Sequence, residues 1–428
     1  MNLALSPMRM ALILLACVAT VSTSGCVSSR MSDSEPDRLF RAGDYESANK
    51  ALEKGIKKQG PDGRDLLLYL LDSGLSLHMA KQYEASNKAF MQADKIAEIK
   101  DYTSLATEGA TLLTSENIKD YKGEDFEKVL INVYLSMNFA LMGEYDDALV
   151  EARRVNRKLQ MMITDGQRKY KQNAFARYLS AILYESQGRA ADGNFYNDAY
   201  IDYKLARELD GSIPDVGRDL YRMAYALRMT DEMEKWSGEY SLTAADKKEA
   251  KFRASKADDR GEIVVVYQNG ISPKKIPSRN FASIPEFIPR FNPVRSAKIA
   301  IDGNEVGEPY LLHDIEYTAI ENLKEKYAGI IAKKIAGIVA KEVVSDRIEK
   351  ATNSPLLGFI SKVFFYVSDQ ADVRSWNLLP RDLQILRTRV KPGLHTVQVL
   401  PEGASSLTSQ EVQVAARKTV FVNFRYMP

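Results

Sequence analysis

Apolar and polar positions divide this chain into three parts: a short apolar leader, a long region of helical periodicity, and a shorter region of strand-like runs. From Pro36 to about Tyr240, apolar residues return at helical spacing among Ala, Leu, Lys, Glu and Tyr, with few prolines. One phrase recurs. Gly43-Asp44-Tyr45-Glu46-Ser47-Ala48 leads to Leu52 and Gly55, and Tyr83-Glu84-Ala85-Ser86 leads to Phe90 and Ala93. Gly143-Glu144-Tyr145-Asp146-Asp147-Ala148 leads to Ala152, and Tyr196-Asn197-Asp198-Ala199 leads to Tyr203 and Ala206. The glycine suits the end of a first helix, where the backbone turns left-handed. Ala48, Ala148 and Ala199 let two helices approach closely, while Phe90 and Tyr203 fill the groove toward the next pair. Leu70, Gly74 and Leu77, and Leu135, Phe139 and Leu141, mark the preceding helices.

This phrase resembles the second half of a tetratricopeptide (TPR) repeat. Four degenerate repeats are expected over 36–240, closed by a capping helix from Val216 to about Arg228, with Pro214 before it. The spacing is irregular, which calls for an extra helix around 103–113 and a short insertion at 189–194. Stacked pairs of this kind form a solenoid whose concave face commonly binds peptides or proteins.

After 240 the pattern changes. The segment 241–260 is charged and reads as a linker or a solvated helix. Glu262–Tyr267 carries a continuous β-branched run, the mark of a buried strand, and Asn269-Gly270 turns it. The proline-rich stretch 273–293 reads as an extended segment on the domain surface. Ala297–Ile301 is a second strand. A helix is expected over about 317–351, with Ala328, Ala332, Ala336 and Ala340 at four-residue spacing, and a further apolar helix over 356–367. Burial within the protein is the expected fate of the Ala-rich helix; membrane contact and a partner interface are the alternatives. Strands return over Leu383–Val390, His395–Leu400, Gln410–Ala415 and Thr419–Tyr426, with a Lys391-Pro392-Gly393 turn. The expected fold is α+β and multidomain: a TPR-like α-solenoid over 36–240, a linker over 241–260, and a β-rich, sandwich-like domain over 261–428 with a helical insertion at about 317–367.

The leader brings in chemistry. Arg9 precedes an apolar run, Met10–Val21, and then Ser22-Thr23-Ser24-Gly25-Cys26. The run is short of the roughly 20 apolar residues that cross a bilayer, so 1–25 reads as a secretory signal. A cysteine after small residues resembles a bacterial lipoprotein signal, which implies a diacylglycerol on the Cys26 thiol, cleavage before it, acylation (palmitate class) of the new amino end, and a tether over 26–35. Cys17 is the competing site, with a shorter apolar core before it. Val27, following Cys26, implies by the same resemblance a place at the outer membrane, facing the periplasm.

Charge narrows the function. Lys and Arg total 59 against 57 Asp and Glu, so the net charge of +2 gives no footprint for nucleic acid. Both cysteines lie in the leader region, and the three histidines, His78, His313 and His395, are far apart, so no metal or other cofactor is expected. No phosphate-binding loop, nucleophile elbow or zinc-binding helix motif occurs. Glu124/Asp125 is a carboxylate pair at a helix start, and Asp372, Arg374 and Trp376 form a cluster that reads either as a structural ion pair or as a partner-binding site. With Gly123-Glu124-Asp125-Phe126-Glu127-Lys128-Val129-Leu130 and Leu379-Pro380, these features are similar to a family of bacterial TPR-containing outer-membrane lipoproteins. The resemblance implies no catalytic residue. The expected function is a membrane-anchored, non-enzymatic scaffold that binds protein partners in the cell envelope through the repeat groove. The alternatives are an envelope glycan- or peptide-acting enzyme with carboxylates in the C-terminal domain, and a structural subunit assembled through the Ala-rich helix.

Overall fold

The computed structural model describes residues 34–107, 120–166, 173–190, 195–279, 283–352, 354–359, 370–404 and 407–428. The signal segment, Cys17 and Cys26 lie outside the described residues, as do most of the helix expected over 356–367, residues 108–113 of the helix expected around 103–113, and residues 191–194 of the insertion expected at 189–194.

Helices come in antiparallel pairs: α1 Glu35–Arg41 with α2 Tyr45–Gln59, α3 Leu66–Met79 with α4 Tyr83–Thr107, α5 Asp125–Met142 with α6 Tyr145–Gly166, α7 Ala174–Ala190 with α8 Phe195–Leu209, and α9 Val216–Ala226 with α10 Thr230–Glu239. Each Tyr of the recurring phrase sits at or next to the start of a second helix. Asp44 caps α2 by accepting the Ser47 N–H at 3.1 Å, and Gly143 ends α5 with φ +80°. Within pairs, Ser86 Oγ donates to the Gly74 carbonyl at 2.7 Å and Ser136 Oγ to the Ala148 carbonyl at 2.8 Å. A Cβ on Gly74 would fall 2.6 Å from the Phe90 ring, so the small residue is what admits that aromatic.

One expectation shifts, and of two alternatives for 241–260 the helix is the one seen. The helix expected around 103–113 is, as far as Thr107, the continuation of the 25-residue α4. Within 241–260 stands α11, Ala244–Ala254, started by a Thr243–Asp246 capping box. The helical array therefore runs to residue 254, and Trp236 on α10 is buried in it, with its Nε1 donating to Tyr200 Oη at 3.0 Å.

The C-terminal half contributes β1 Gly261–Asn269, β2 Lys274–Pro277, β3 Pro285–Ile288, β4 Ala297–Ile301, β5 Asn304–Gly307, β6 Tyr310–Asp314, then α12 Ile315–Thr352, and β7 Asp382–Val390, β8 Gly393–Pro401, β9 Thr408–Val414 and β10 Thr419–Tyr426. The first sheet has the order β10-β1-β7-β6 and the second β5-β4-β8-β9, while β2 and β3 form a small ribbon. β1 runs parallel to β10 and antiparallel to β7. Ile263, Val265 and Tyr267 point to a core shared with Ile299, Val397, Val399 and Val414 of the second sheet. Val264 and Val266 point the other way, into the core of the helices. Every residue of β1 is buried, which is why its sequence runs continuously apolar instead of alternating.

The long helix α12 corrects the expectation of burial. Ile315, Ala319 and Leu323 are buried against the body, but Ile331, Ile335, Ile338, Val339 and Val343 are 43–58 % exposed. Its described contacts are with β3, α5 and β7, and one face stays covered further along, where Lys341 and Ser345 are buried. The chain turns back after it, Ser354 N–H donating to the Glu349 carbonyl at 3.2 Å. No helix among the described residues is long and apolar enough to cross a membrane.

Candidate functional site

The inner helices α3, α5, α7 and α9 are buried almost all round. One side of each meets its paired outer helix. The other side, which would line an open groove, is covered by the first sheet. The residues that face it alternate along the strands: Glu262, Val264, Val266 and Gln268 on β1; Leu383, Ile385 and Arg387 on β7; Thr419, Phe421 and Asn423 on β10. Val264, Val266, Leu383, Ile385 and Phe421 share one continuous core with Leu71, Tyr134, Leu179 and Leu220 of the repeats. The groove expected to hold a partner is thus filled by the chain's own C-terminal half. The physical cause is the apolar character of the inner helices on both faces, which leaves a hydrophobic surface that the sheet buries.

Three polar knots cross this seam. At one end, Arg374 donates Nη1 to Asp65 at 2.8 Å and both Nε and Nη2 to Asp372 at 2.9 and 2.7 Å. Its guanidinium lies over the Tyr121 ring, 5.3 Å from the centroid. The backbone N–H of Trp376 donates to Glu127 Oε1 at 2.7 Å, and Tyr121 Oη donates to Glu127 Oε2 at 2.5 Å. The Trp376 indole lies against Phe90 and Tyr134 and is 1 % exposed. Asp372, Arg374 and Trp376 do come together, but what Arg374 and Trp376 engage is the chain's own repeats. Burial, and then the charge of Glu124, push the Glu127 carboxyl up to about 7. Glu124 is itself partly buried, yet Lys275 and Lys326 hold it well below the ordinary carboxylate range. Asp125 also pairs with Lys326, at 3.1 Å, so the Glu124/Asp125 pair is neutralised by two lysines.

In the middle, His78 of α3 is fully buried. Its Nδ1 lies 2.5 Å from Asn138 Oδ1, and its Nε2 lies 2.8 Å from Gln268 Nε2 and 3.0 Å from Asn423 Nδ2. Asn138 uses its amide hydrogens on Ser86 and Asn87. Its oxygen is therefore the acceptor, and Nδ1 of His78 carries the proton. Nε2 accepts from the sheet. Burial pushes His78 down to about 4 and keeps the ring neutral. Gln268 Oε1 accepts from Tyr134 Oη at 2.8 Å.

At the far end, Glu185 of α7 accepts two bonds from Arg222, at 2.7 Å each, one from Tyr203 Oη at 2.6 Å and one from Arg387 Nη2 at 2.9 Å. Arg387 also reaches Asp219 at 3.1 Å and Glu262 at 3.0 Å, and Arg253 reaches Glu262 at 3.1 Å. This knot was not singled out from sequence. Its signal was present: Glu262 opens a valine run, and Arg387 and Arg389 sit at alternating positions of a strand.

In the C-terminal half, Asp382 faces Asp314 in the β6–β7 register. Asp382 is fully buried and accepts from Gln384 Nε2 at 2.8 Å; burial, with the Asp314 charge adding to it, pushes it up to about 6. Asp314 caps α12 by accepting the Tyr317 N–H at 2.8 Å. No cluster of His, Cys, Asp and Glu able to hold a metal ion occurs among the described residues.

No protein-family model matches the chain, and no curated protein matches it. Among solved structures, MamA is similar at 14 % identity, over 52 % of this chain and 98 % of MamA, with a TM-score of 0.32. A putative kinesin light chain of Podosopora anserina with nearly identical TPR-like repeats is similar at 11 % identity, over 52 % of this chain and 93 % of that one, with a TM-score of 0.32. At these identities and scores the likeness carries no argument about function. The chain's own geometry shows TPR-like helix pairs in about half its length and a β-rich region in the rest.

Proposed function

We propose that this protein is a lipid-anchored, non-enzymatic scaffold of the bacterial cell envelope, held at the outer membrane through Cys26, facing the periplasm and gathering protein partners. The inner helix face is taken by the sheet, so partner binding belongs to the surfaces that remain. The observation that carries the reading is the exposed apolar row on α12: Ile331, Ile335, Ile338, Val339 and Val343; Leu356 and Phe359, on the segment that follows, are 64 % exposed each. A contiguous exposed apolar row along one helix marks an interaction surface. Its spacing suits an apolar helix of a partner protein, docked along α12. The lipid on Cys26 would raise the local concentration of that partner at the membrane.

Crosslinking in intact cells tests this, comparing wild type, Cys26→Ser and Ile335→Glu/Ile338→Glu. The expected result is one envelope protein crosslinked to α12, enriched over a control lipoprotein, and lost in the α12 variant. Lipid labelling should vanish in Cys26→Ser. No enrichment over the control would end the scaffold reading, and labelling that survives in Cys26→Ser would move the anchor to Cys17.

A further inference from the structure

The far knot of the seam holds more positive charge than its carboxylates balance. Around Glu185, Asp219 and Glu262 stand Arg222, Arg253, Arg387 and Arg389, drawn from α9, α11 and β7. Arg189 lies one turn beyond Glu185 on α7; its Nη2 donates to the Arg260 carbonyl at 3.0 Å, and the nearby buried Asp258 is paired at 2.7 Å with Arg260. Arginine cannot shed its proton to relieve burial. Arg222 and Arg387 have well-made partners in the three carboxylates. Arg389 does not: its nearest approaches are 3.6 Å to Glu185 and 3.5 Å to Glu262, although its side chain is only 6 % exposed.

The leftover hydrogen-bond donors are specific. Nε, Nη1 and Nη2 of Arg389, Nε and Nη1 of Arg189, Nη1 of Arg222 and Nε of Arg253 are all buried without an acceptor. Unpaired buried donors are rare in folded proteins, and unpaired buried charge is costly. Donors from several guanidinium groups around one locus suit a group with several oxygens and two negative charges. Guanidinium forks match phosphate oxygens in pairs. Glu185 and Glu262 also lie there and repel an anion. They are already covered by Arg222, Arg253 and Arg387, which leaves the surplus guanidinium charge as the net field.

We infer that Arg189, Arg222, Arg253 and Arg389 form a binding site for a compact dianion of the phosphate or phosphomonoester class, which ties α7, α9 and α11 to β7 when bound. The site stands apart from the α12 surface and does not depend on it.

Titration calorimetry and thermal unfolding of the full chain test this, with inorganic phosphate as probe against chloride at matched ionic strength, and with phosphatidylcholine vesicles with and without phosphatidic acid as a second arm. Phosphate should bind and raise the unfolding midpoint. Arg389→Met, which keeps the side-chain bulk and removes three donor atoms, should weaken binding by roughly tenfold or more, the loss of a charge-assisted hydrogen bond. If that variant does not fold, Arg189→Gln takes its place with the same expectation. A shift with free phosphate assigns a soluble ligand. A response confined to phosphatidic acid vesicles, and lost in the variant, assigns a lipid headgroup. No response in either arm, or a response that both variants retain, would overturn the site.

Discussion

Arg387 Nη2 lies 2.9 Å from Glu185 Oε2, joining the sheet to the inner layer of helices at a point where both side chains are almost wholly buried. The pair lies 202 positions apart in the chain. It shows what kind of molecule this is: the repeats and the β-rich half share one core, with ionic groups set inside it. Removing one partner of such a pair strands the others.

Arg387→Met should therefore destabilise the protein by about 3–5 kcal/mol, since Glu262 and Asp219 each lose a buried guanidinium. Urea unfolding measures it. A loss of about 1 kcal/mol or less, the range of exposed pairs, would mean that the knot is hydrated and not buried.

His78 makes stability depend on pH in a definite direction. Its folded value of about 4 lies below the ordinary 6.5, so between these values the unfolded chain binds the proton and the folded one does not. The contribution is fully present above about 6.5 and is lost as pH falls toward 4, amounting to about 3 kcal/mol at most. Comparing stability of wild type and His78→Gln across that window isolates it: the difference between them should shrink on acidification. A difference that is constant with pH would contradict the neutral, buried ring.

Glu127 works in the opposite sense. Its folded value of about 7 lies above the ordinary 4.5, so its contribution is fully present below about 4.5 and is lost as pH rises through 7. Glu127→Gln keeps an acceptor for the Trp376 N–H and removes the titration. Relative to wild type, the variant should gain stability as pH rises from 4.5 to 7, read by denaturant midpoints on a pH series. A relative loss over that range would show that the carboxylate is stabilised by its donors, the Trp376 and Glu124 N–H groups and Tyr121 Oη, more than it is penalised by burial.

On α12, Ile335→Glu should leave stability within about 0.5 kcal/mol of wild type, because the side chain is 58 % exposed. The same change at Leu323, which is buried, should cost several kcal/mol. Thermal unfolding of the two variants side by side checks the contrast. Equal losses would place the far part of the helix in the core.

Much of this architecture was legible in the sequence. The phrase ending in Ala48, Ala148 and Ala199 marked the second helices, because a close helix crossing needs a small residue wherever it occurs. The run Ile263–Val266 marked a strand buried on both faces. What stayed hidden was which surface covers which. Leu66–Leu68 with Leu70 and Leu71 is apolar on every side of α3, and that is the local sign of a helix buried on both faces; the sign does not name its cover. The cover is β1, β7 and β10, and β10 reaches β1 in parallel across more than a hundred residues of chain. Trp376 illustrates the same limit. Beside Asp372 and Arg374 it read either as part of a structural ion pair or as a partner-binding site, and the distant Asp65, Glu127 and Phe90 turn the cluster inward.

The central claim is that the sheet fills the inner face of the repeats, and the two tryptophans of the chain allow a direct test. In Trp236→Phe, fluorescence reports only Trp376, which sits at the seam, while far-UV circular dichroism reports the helices. Urea unfolding of this variant should give one transition, with the same midpoint and slope by both probes. Exposure of Trp376 at lower urea, with the helical signal still intact, would show a repeat array that stands without the sheet and would contradict the account.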